Sequence, residues 1–263
     1  MKPETVAPAT AGVEPREFAT TRWSLILSAT PSIEDQQTQQ ALTELCRLYW
    51  HPVFLFVNRR GYSTQEAQDL TQDFFVTILG NDWVSQADPE RGRFRSFLLK
   101  SVQNFLSHAE ERRRTIKRGG QLQFVSWDEW LAERPSQFEM LDEIGESLTP
   151  EPFFDLRWAT TVVEHALQRL REECEGKGRL RLFEILRTHL VSENENITYA
   201  DLATALGIAE TMVKKQLYNM RQRFRWLLRD EVAQTVADPV DVDEEIRHLC
   251  TVLATVNSPN RET

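Results

Sequence analysis

Cysteine, glycine and long apolar runs are all scarce in this chain, and each scarcity removes a class of explanation. Three cysteines, Cys46, Cys174 and Cys250, are spread over 263 residues. An odd number at wide spacing supplies neither a disulfide framework nor the paired ligands of a zinc site. It points to a reducing compartment, with the thiols as small buried apolar groups. Glycine numbers only ten, and no glycine-rich phosphate-binding loop is present. No apolar run approaches membrane-spanning length, and Met1 to Arg16 holds no apolar signal core. Neither membrane insertion nor export is therefore expected, and the expected location is cytoplasmic. Strand-type alternation, internal repeats and the local contexts of nucleophilic triads are missing too. One pattern has metal-ligand spacing, Glu245-x-x-His248. Helical di-metal proteins need two such pairs and further inward glutamates, and no second pair exists. The pair is read as part of a solvated helix. A helical metal-dependent enzyme stays a remote alternative, and no catalytic residue, metal or cofactor is assigned.

What the chain does have is charge, unevenly placed. Its formal charge is −9, which looks wrong for a nucleic-acid binder because phosphate neutralisation drives such affinity. The distribution resolves this. Arg91, Arg93, Arg95, Lys100, Arg112, Arg113, Arg114, Lys117 and Arg118 crowd one segment against only Glu110 and Glu111. Lys214, Lys215, Arg221, Arg223, Arg225 and Arg229 crowd a second, with no acidic residue from Thr211 to Arg229. Two cationic surfaces on an acidic body imply a chain that meets anionic partners at two places.

Helical periodicity organises the rest into an all-α chain of two small bundles joined by an acidic linker. Residues 1–17, rich in Pro, Ala and Thr, read as disordered. The first body, 18–118, holds a short helix over Phe18–Ala29 and a longer one over Gln39–Asn58, which Pro52 is expected to break or kink. After Gly61, Ser63 and Glu66 have capping-box spacing for a helix to about Leu79. A polar loop spans Gly80–Arg93. The helix from Phe94 to about Arg114 buries Leu98, Val102, Phe105 and Ala109, and carries Lys100, Asn104, Ser107 and Arg114 on another stripe. Residues 119–155, with Pro135, Pro150, Pro152 and many carboxylates, read as the linker. The second body, 156–236, holds helices over Leu156–Glu173, Leu180–Leu190, Tyr199–Leu206 and Glu210 to about Val236. Residues 237–263 form a C-terminal extension with one further helix over Val240–Val256.

The stretch from Thr198 to Arg229 is the most informative. A short helix, a glycine turn and a longer basic helix is the form of a helix-turn-helix, which seats its second helix in the DNA major groove. Thr198 and Asp201 have cap spacing, Ala203 is small where two helices cross, and Gly207 suits a turn of positive φ. Val213, Leu217, Met220, Phe224 and Leu227 form the stripe to be buried. Thr211, Lys214, Lys215 and Tyr218, near the helix start, are placed to meet base edges, and Arg221 and Arg225 to meet phosphate.

Elsewhere, Asp69, Gln72, Asp73 and Phe75 lie on neighbouring turns of one helix, a set of carboxylates beside an apolar knob. That arrangement suits docking against a basic partner with the aromatic as anchor, while Leu70, Phe74 and Ile78 are assigned to the core. In the loop Gly80–Arg93 and the helix after it, arginines mix with aromatics, of which at least one of Phe94 and Phe97 belongs to the core. Holding a melted strand requires phosphate neutralisation and faces that receive unstacked bases. Arg91, Arg93, Arg95 and Lys100 can supply the charge, Asn104 can read a base edge, and Asn81 and Trp83 can cradle a flipped base.

Three of these segments resemble one family. Asp69-Leu-Thr-Gln-Asp-Phe-Phe75 resembles the core-polymerase-binding helix of sigma-70 factors. Phe94-Arg-Ser-Phe-Leu-Leu-Lys-Ser-Val-Gln-Asn-Phe-Leu106, followed by Arg112-Arg113-Arg114, is similar to the helix that recognises and melts the −10 promoter element. Tyr199 to Arg229 resembles the −35-binding helix-turn-helix of the same factors, although Ala209 stands where many members have a capping serine, and Tyr218-Asn219 where a basic pair is usual. With two domains only, the chain most resembles the extracytoplasmic-function (ECF) group. The resemblance implies a non-enzymatic subunit that binds RNA polymerase core enzyme and promoter DNA, with an anti-sigma factor or other regulator as a further partner. It implies that the acidic linker occupies the RNA path of polymerase, whereas by composition alone the linker is merely solvated. The competing reading from the residues is a stand-alone helix-turn-helix regulator that does not bind polymerase.

Overall fold

The computed structural model of the chain describes residues 22–23, 36–80, 93–115, 148–191 and 198–257. Helix predominates among them and no strand forms. The helices are α1 (Gln36–Arg59), α2 (Thr64–Gly80), α3 (Phe94–Thr115), α4 (Pro150–Gly176), α5 (Leu180–Leu186), α6 (Thr188–Val191), α7 (Tyr199–Leu206), α8 (Glu210–Ala233) and α9 (Val242–Asn257), with a 3₁₀ turn at Pro239–Asp241. None of these helices is long and apolar enough to cross a membrane.

Local signals act where the sequence places them. Gly61 takes a φ of 93°, and the capping box forms in both directions. The Ser63 N–H donates to Glu66 Oε2 at 3.1 Å, and the Glu66 N–H donates to Ser63 Oγ at 3.4 Å. α1 runs through Pro52 without a break. A proline there forfeits one backbone hydrogen bond, but Leu48, Trp50, Pro52, Val53 and Phe54 are all buried, and packing holds the turn. Each such apolar side chain contributes about 1.5–3 kcal/mol by leaving water. Leu180 to Leu190 is two helices rather than one, divided at Arg187.

The larger corrections concern α4. It starts at Pro150, so Pro150, Pro152, Phe153, Phe154 and Asp155 belong to a helix and not to a linker. Prolines in a first helical turn cost nothing, because their missing N–H groups have no partner there. Residues 116–147 lie outside the described residues, as does the N-terminal segment apart from Arg22 and Trp23. α4 packs most extensively against α1 and α8, and one continuous apolar core runs from Leu42, Tyr49 and Phe56 of α1 through Phe154, Trp158 and Val162 of α4 to Leu217 and Phe224 of α8. The apolar cores of the two expected bodies are therefore fused. At the end of α1, Phe56 meets Phe154 edge-on at 6.0 Å, Arg59 lies over Phe153, and the Arg59 Nε–H donates to the Leu148 carbonyl at 3.2 Å.

The segment after α8 returns to the head of α3. The Phe94 N–H donates to the Thr235 carbonyl at 2.9 Å, and Arg93 and Val236 form an isolated antiparallel bridge. The Trp23 N–H donates to the Gln234 carbonyl at 3.2 Å, and its ring packs against Phe94 and Phe97. Cys46 and Cys174 are buried, and burial pushes the Cys46 thiol up to about 12; Cys250, contrary to expectation, is exposed on α9.

Candidate nucleic-acid interface

The face at the start of α8 is built by the turn before it. Gly207 ends α7 with a φ of 68°, a left-handed conformation that costs a side-chain-bearing residue about 1–2 kcal/mol. The Ile208 N–H then donates to the Ala203 carbonyl at 3.1 Å, closing the end of α7. Thr198 caps α7 by position only, since its hydroxyl makes no cap bond, and Ala209 likewise begins α8 without a side-chain bond. Val213, Leu217, Met220, Phe224 and Leu227 are buried as their spacing predicts. That fixes the rotation of α8 and turns Thr211, Lys214, Lys215, Tyr218 and Arg225 to solvent, with Tyr218 63% exposed. Lys214 Nζ stands 5.0 Å from the centre of the Tyr199 ring, a cation–π contact between α8 and α7. Lys215 and Arg225 make no ion pair with a described residue.

Other cations of α8 are engaged. Arg221, expected at phosphate, is half-buried and donates from Nε and Nη2 to the His189 carbonyl at 3.0 and 2.8 Å. α6 is a single turn whose carbonyls lack helical partners, and the guanidinium satisfies one of them. Arg223 pairs with Glu173 at 2.5 Å and lies 4.1 Å over the Trp226 ring. The Arg223 hydrogen bond holds the Glu173 carboxyl below the usual range. Arg229 pairs with Asp243 of α9. Trp226 and Met212 are exposed apolar groups that sequence reasoning did not single out.

On α3, Lys100, Asn104 and Ser107 share an exposed face, as their spacing predicts, and Phe94 is buried while Phe97 is half-buried. Arg93 and Arg95, expected to offer charge to a DNA strand, are instead engaged by carboxylates of the chain. The Arg95 side chain is 8% exposed; its Nε donates to Glu245 Oε1 at 2.9 Å and its Nη1 to Asp155 Oδ1 at 2.6 Å. Its guanidinium lies 5.0 Å from the Trp158 ring centre. Arg93 reaches Glu244 at 2.7 Å and Glu245 at 3.5 Å. Burial works against the Arg95 charge, but the Glu245 hydrogen bond and the Asp155 and Glu245 charges outweigh it and raise its pKa. Tyr49, buried beside them, is raised by burial and then by the Glu245 charge. Glu245 is thus an interior group, not part of a solvated helix, and His248 faces Asp155 at 3.4 Å. Among the described residues no cluster is suited to a metal ion. Asn81, Trp83 and Arg91 lie outside the described residues. Arg112, Arg113 and Arg114 fall at the end of α3, and their side chains lie outside them too.

On α2, Asp69 and Asp73 are exposed, and Asp69 Oδ1 accepts from Gln65 Nε2 at 3.1 Å. Gln72 and Phe75, expected beside them, are buried. Phe75 packs against Trp50 and Phe74, with ring centres at 5.4 and 5.2 Å, and so belongs to the core. The apolar member of this ridge is Val76, 58% exposed and in helical register with both aspartates. Its spacing from Asp69 and Asp73 was the signal that identifies it.

Comparison of the chain with protein-family models, curated proteins and solved structures finds no match. The functional reading therefore rests on the residues themselves.

Proposed function

We propose that this chain is a sigma-70-like factor of the ECF kind, which bridges RNA polymerase core enzyme and promoter DNA. The observation that carries this is the outward face of α8: Thr211, Lys214, Lys215 and Tyr218 stand together at a helix start, directly after the Gly207 turn. A helix presented in this way enters the major groove with its first turns at base edges. Arg225, two turns on, serves phosphate, which positions the helix without reading sequence.

The Asp69–Asp73–Val76 ridge favours a polymerase-bound factor over a stand-alone regulator. Two carboxylates beside an exposed valine suit a basic, apolar-centred partner surface, and a simple DNA-binding regulator has no use for them. On α3, Lys100 and Asn104 offer a cation and a base-edge reader for a separated strand. Catalysis is not part of this reading; promoter opening is driven by binding energy shared between protein and polymerase.

The test is a salt titration of promoter-duplex affinity. Arg225→Ala is expected to weaken binding and to lower the slope of log affinity against log salt by about 0.9 for its lost phosphate contact, and Lys214→Ala/Lys215→Ala to weaken binding to the promoter sequence. An unchanged affinity and slope would remove the α8 face from the proposal.

A further inference from the structure

At the head of α3 two arginines, Arg93 and Arg95, are paired with carboxylates from elsewhere in the chain. Arg95 is held by Glu245 at 2.9 Å and Asp155 at 2.6 Å, and Arg93 by Glu244 at 2.7 Å and Glu245 at 3.5 Å. Arg95 sits on α3 and Arg93 directly before it, one carboxylate on α4, and two on α9 in the C-terminal extension. Backbone contacts tighten the same place, through Phe94 to Thr235 and Arg93 to Val236. Val242 and Leu249 of α9 join the common core, and Arg229 with Asp243 ties α9 to the end of α8.

We propose that α9 is an intramolecular clasp, which occupies the two arginines at the head of α3 with its own carboxylates until a single-stranded nucleic acid displaces it. The inference rests on the sigma-like reading and adds regulation to it. Carboxylates here take the place that phosphates of a promoter strand would take. Buried ion pairs add little net stability over apolar groups of the same volume, yet loss of one member leaves an uncompensated charge inside. Three carboxylates against two guanidiniums make a contact that another anion can replace by exchange, without leaving either arginine uncompensated. A reading of these pairs as plain core support leaves unexplained why two arginines and three carboxylates gather at the junction of three elements distant in sequence.

The test uses the full chain, a fluorescently labelled single-stranded DNA of mixed sequence, and purified core RNA polymerase. Glu244→Gln/Glu245→Gln is expected to expand the molecule in solution scattering. It should also raise affinity for the single strand about tenfold or more, because a dominant closed form lowers apparent affinity by its excess over the open one. The slope of log affinity against log salt should steepen by about 0.7 for each arginine released. If the double variant loses cooperative melting, Glu244→Gln alone decides the matter: at an exposed position it removes the nearer carboxylate from Arg93, leaves Glu245 at 3.5 Å, and is expected to steepen the slope by part of one arginine. Equal affinity and slope for wild type and variant overturn the clasp and leave the sigma-like reading standing. If no form binds core polymerase while the difference in slope persists, the sigma-like reading falls and the clasp stands.

Discussion

The heads of α3 and α8 look alike in sequence and differ in space. Both carry cations close to their starts with a tyrosine or phenylalanine nearby, and both follow a glycine-containing segment. At α8 the buried stripe from Val213 to Leu227 points Lys214, Lys215 and Tyr218 outward. At α3 the cations Arg93 and Arg95 turn inward onto Asp155, Glu244 and Glu245. The difference teaches that local charge density tells where cations are, and only long-range partners tell which of them are available.

The largest effect that can break this comparison is on stability. Arg95→Ala strands Glu245 in the interior, and removal of one member of a buried pair costs about 3–5 kcal/mol. Arg225→Ala, at an exposed position of α8, is expected to stay within about 0.5 kcal/mol of the parent. Urea denaturation of the two variants checks both values. Equal and small losses would mean that the Arg95 cluster is not the interior anchor described above.

A smaller effect sharpens the comparison through a carboxylate with no arginine of its own. Glu164 of α4 makes no ion pair with a described residue, and burial pushes its carboxyl up to about 7, with only the Arg157 charge pulling the other way. A raised carboxyl binds its proton more tightly in the folded chain than in the unfolded one. Its contribution is therefore most favourable below the unfolded value near 4.5 and is lost as pH rises toward about 7. Glu164→Gln is expected to stabilise the protein by about 1–3 kcal/mol at a pH of about 8 and to change little at about 5. Denaturation curves at the two pH values measure this, and an equal effect at both would place Glu164 in water.

Features set within a few residues were legible in the sequence: the Ser63–Glu66 box, the left-handed Gly207, the buried stripe of α8, and the Lys100–Asn104–Ser107 face. Each depends on helical geometry alone. The rotation of α2 was harder, because Leu70, Phe74, Phe75, Val76 and Ile78 put apolar groups on nearly every side. The choice of Phe75 over Val76 for the core is made by Trp50, on another helix. Pro150 and Pro152 carry the same signal for a linker and for a first helical turn, and only the packing of Phe153 and Phe154 separates the two. Arg95 and Glu245 stand 150 residues apart, so no local pattern announces their pairing.

The central claim, that this chain is a bridge to RNA polymerase, is tested most directly by equilibrium binding of the full-length protein to purified core enzyme, with wild type beside Asp69→Ala/Asp73→Ala. The account predicts saturable binding by the wild type, and weakened binding by the variant with promoter-duplex affinity unchanged. Absence of binding by the wild type at low ionic strength, or equal affinity for the two proteins, would contradict it.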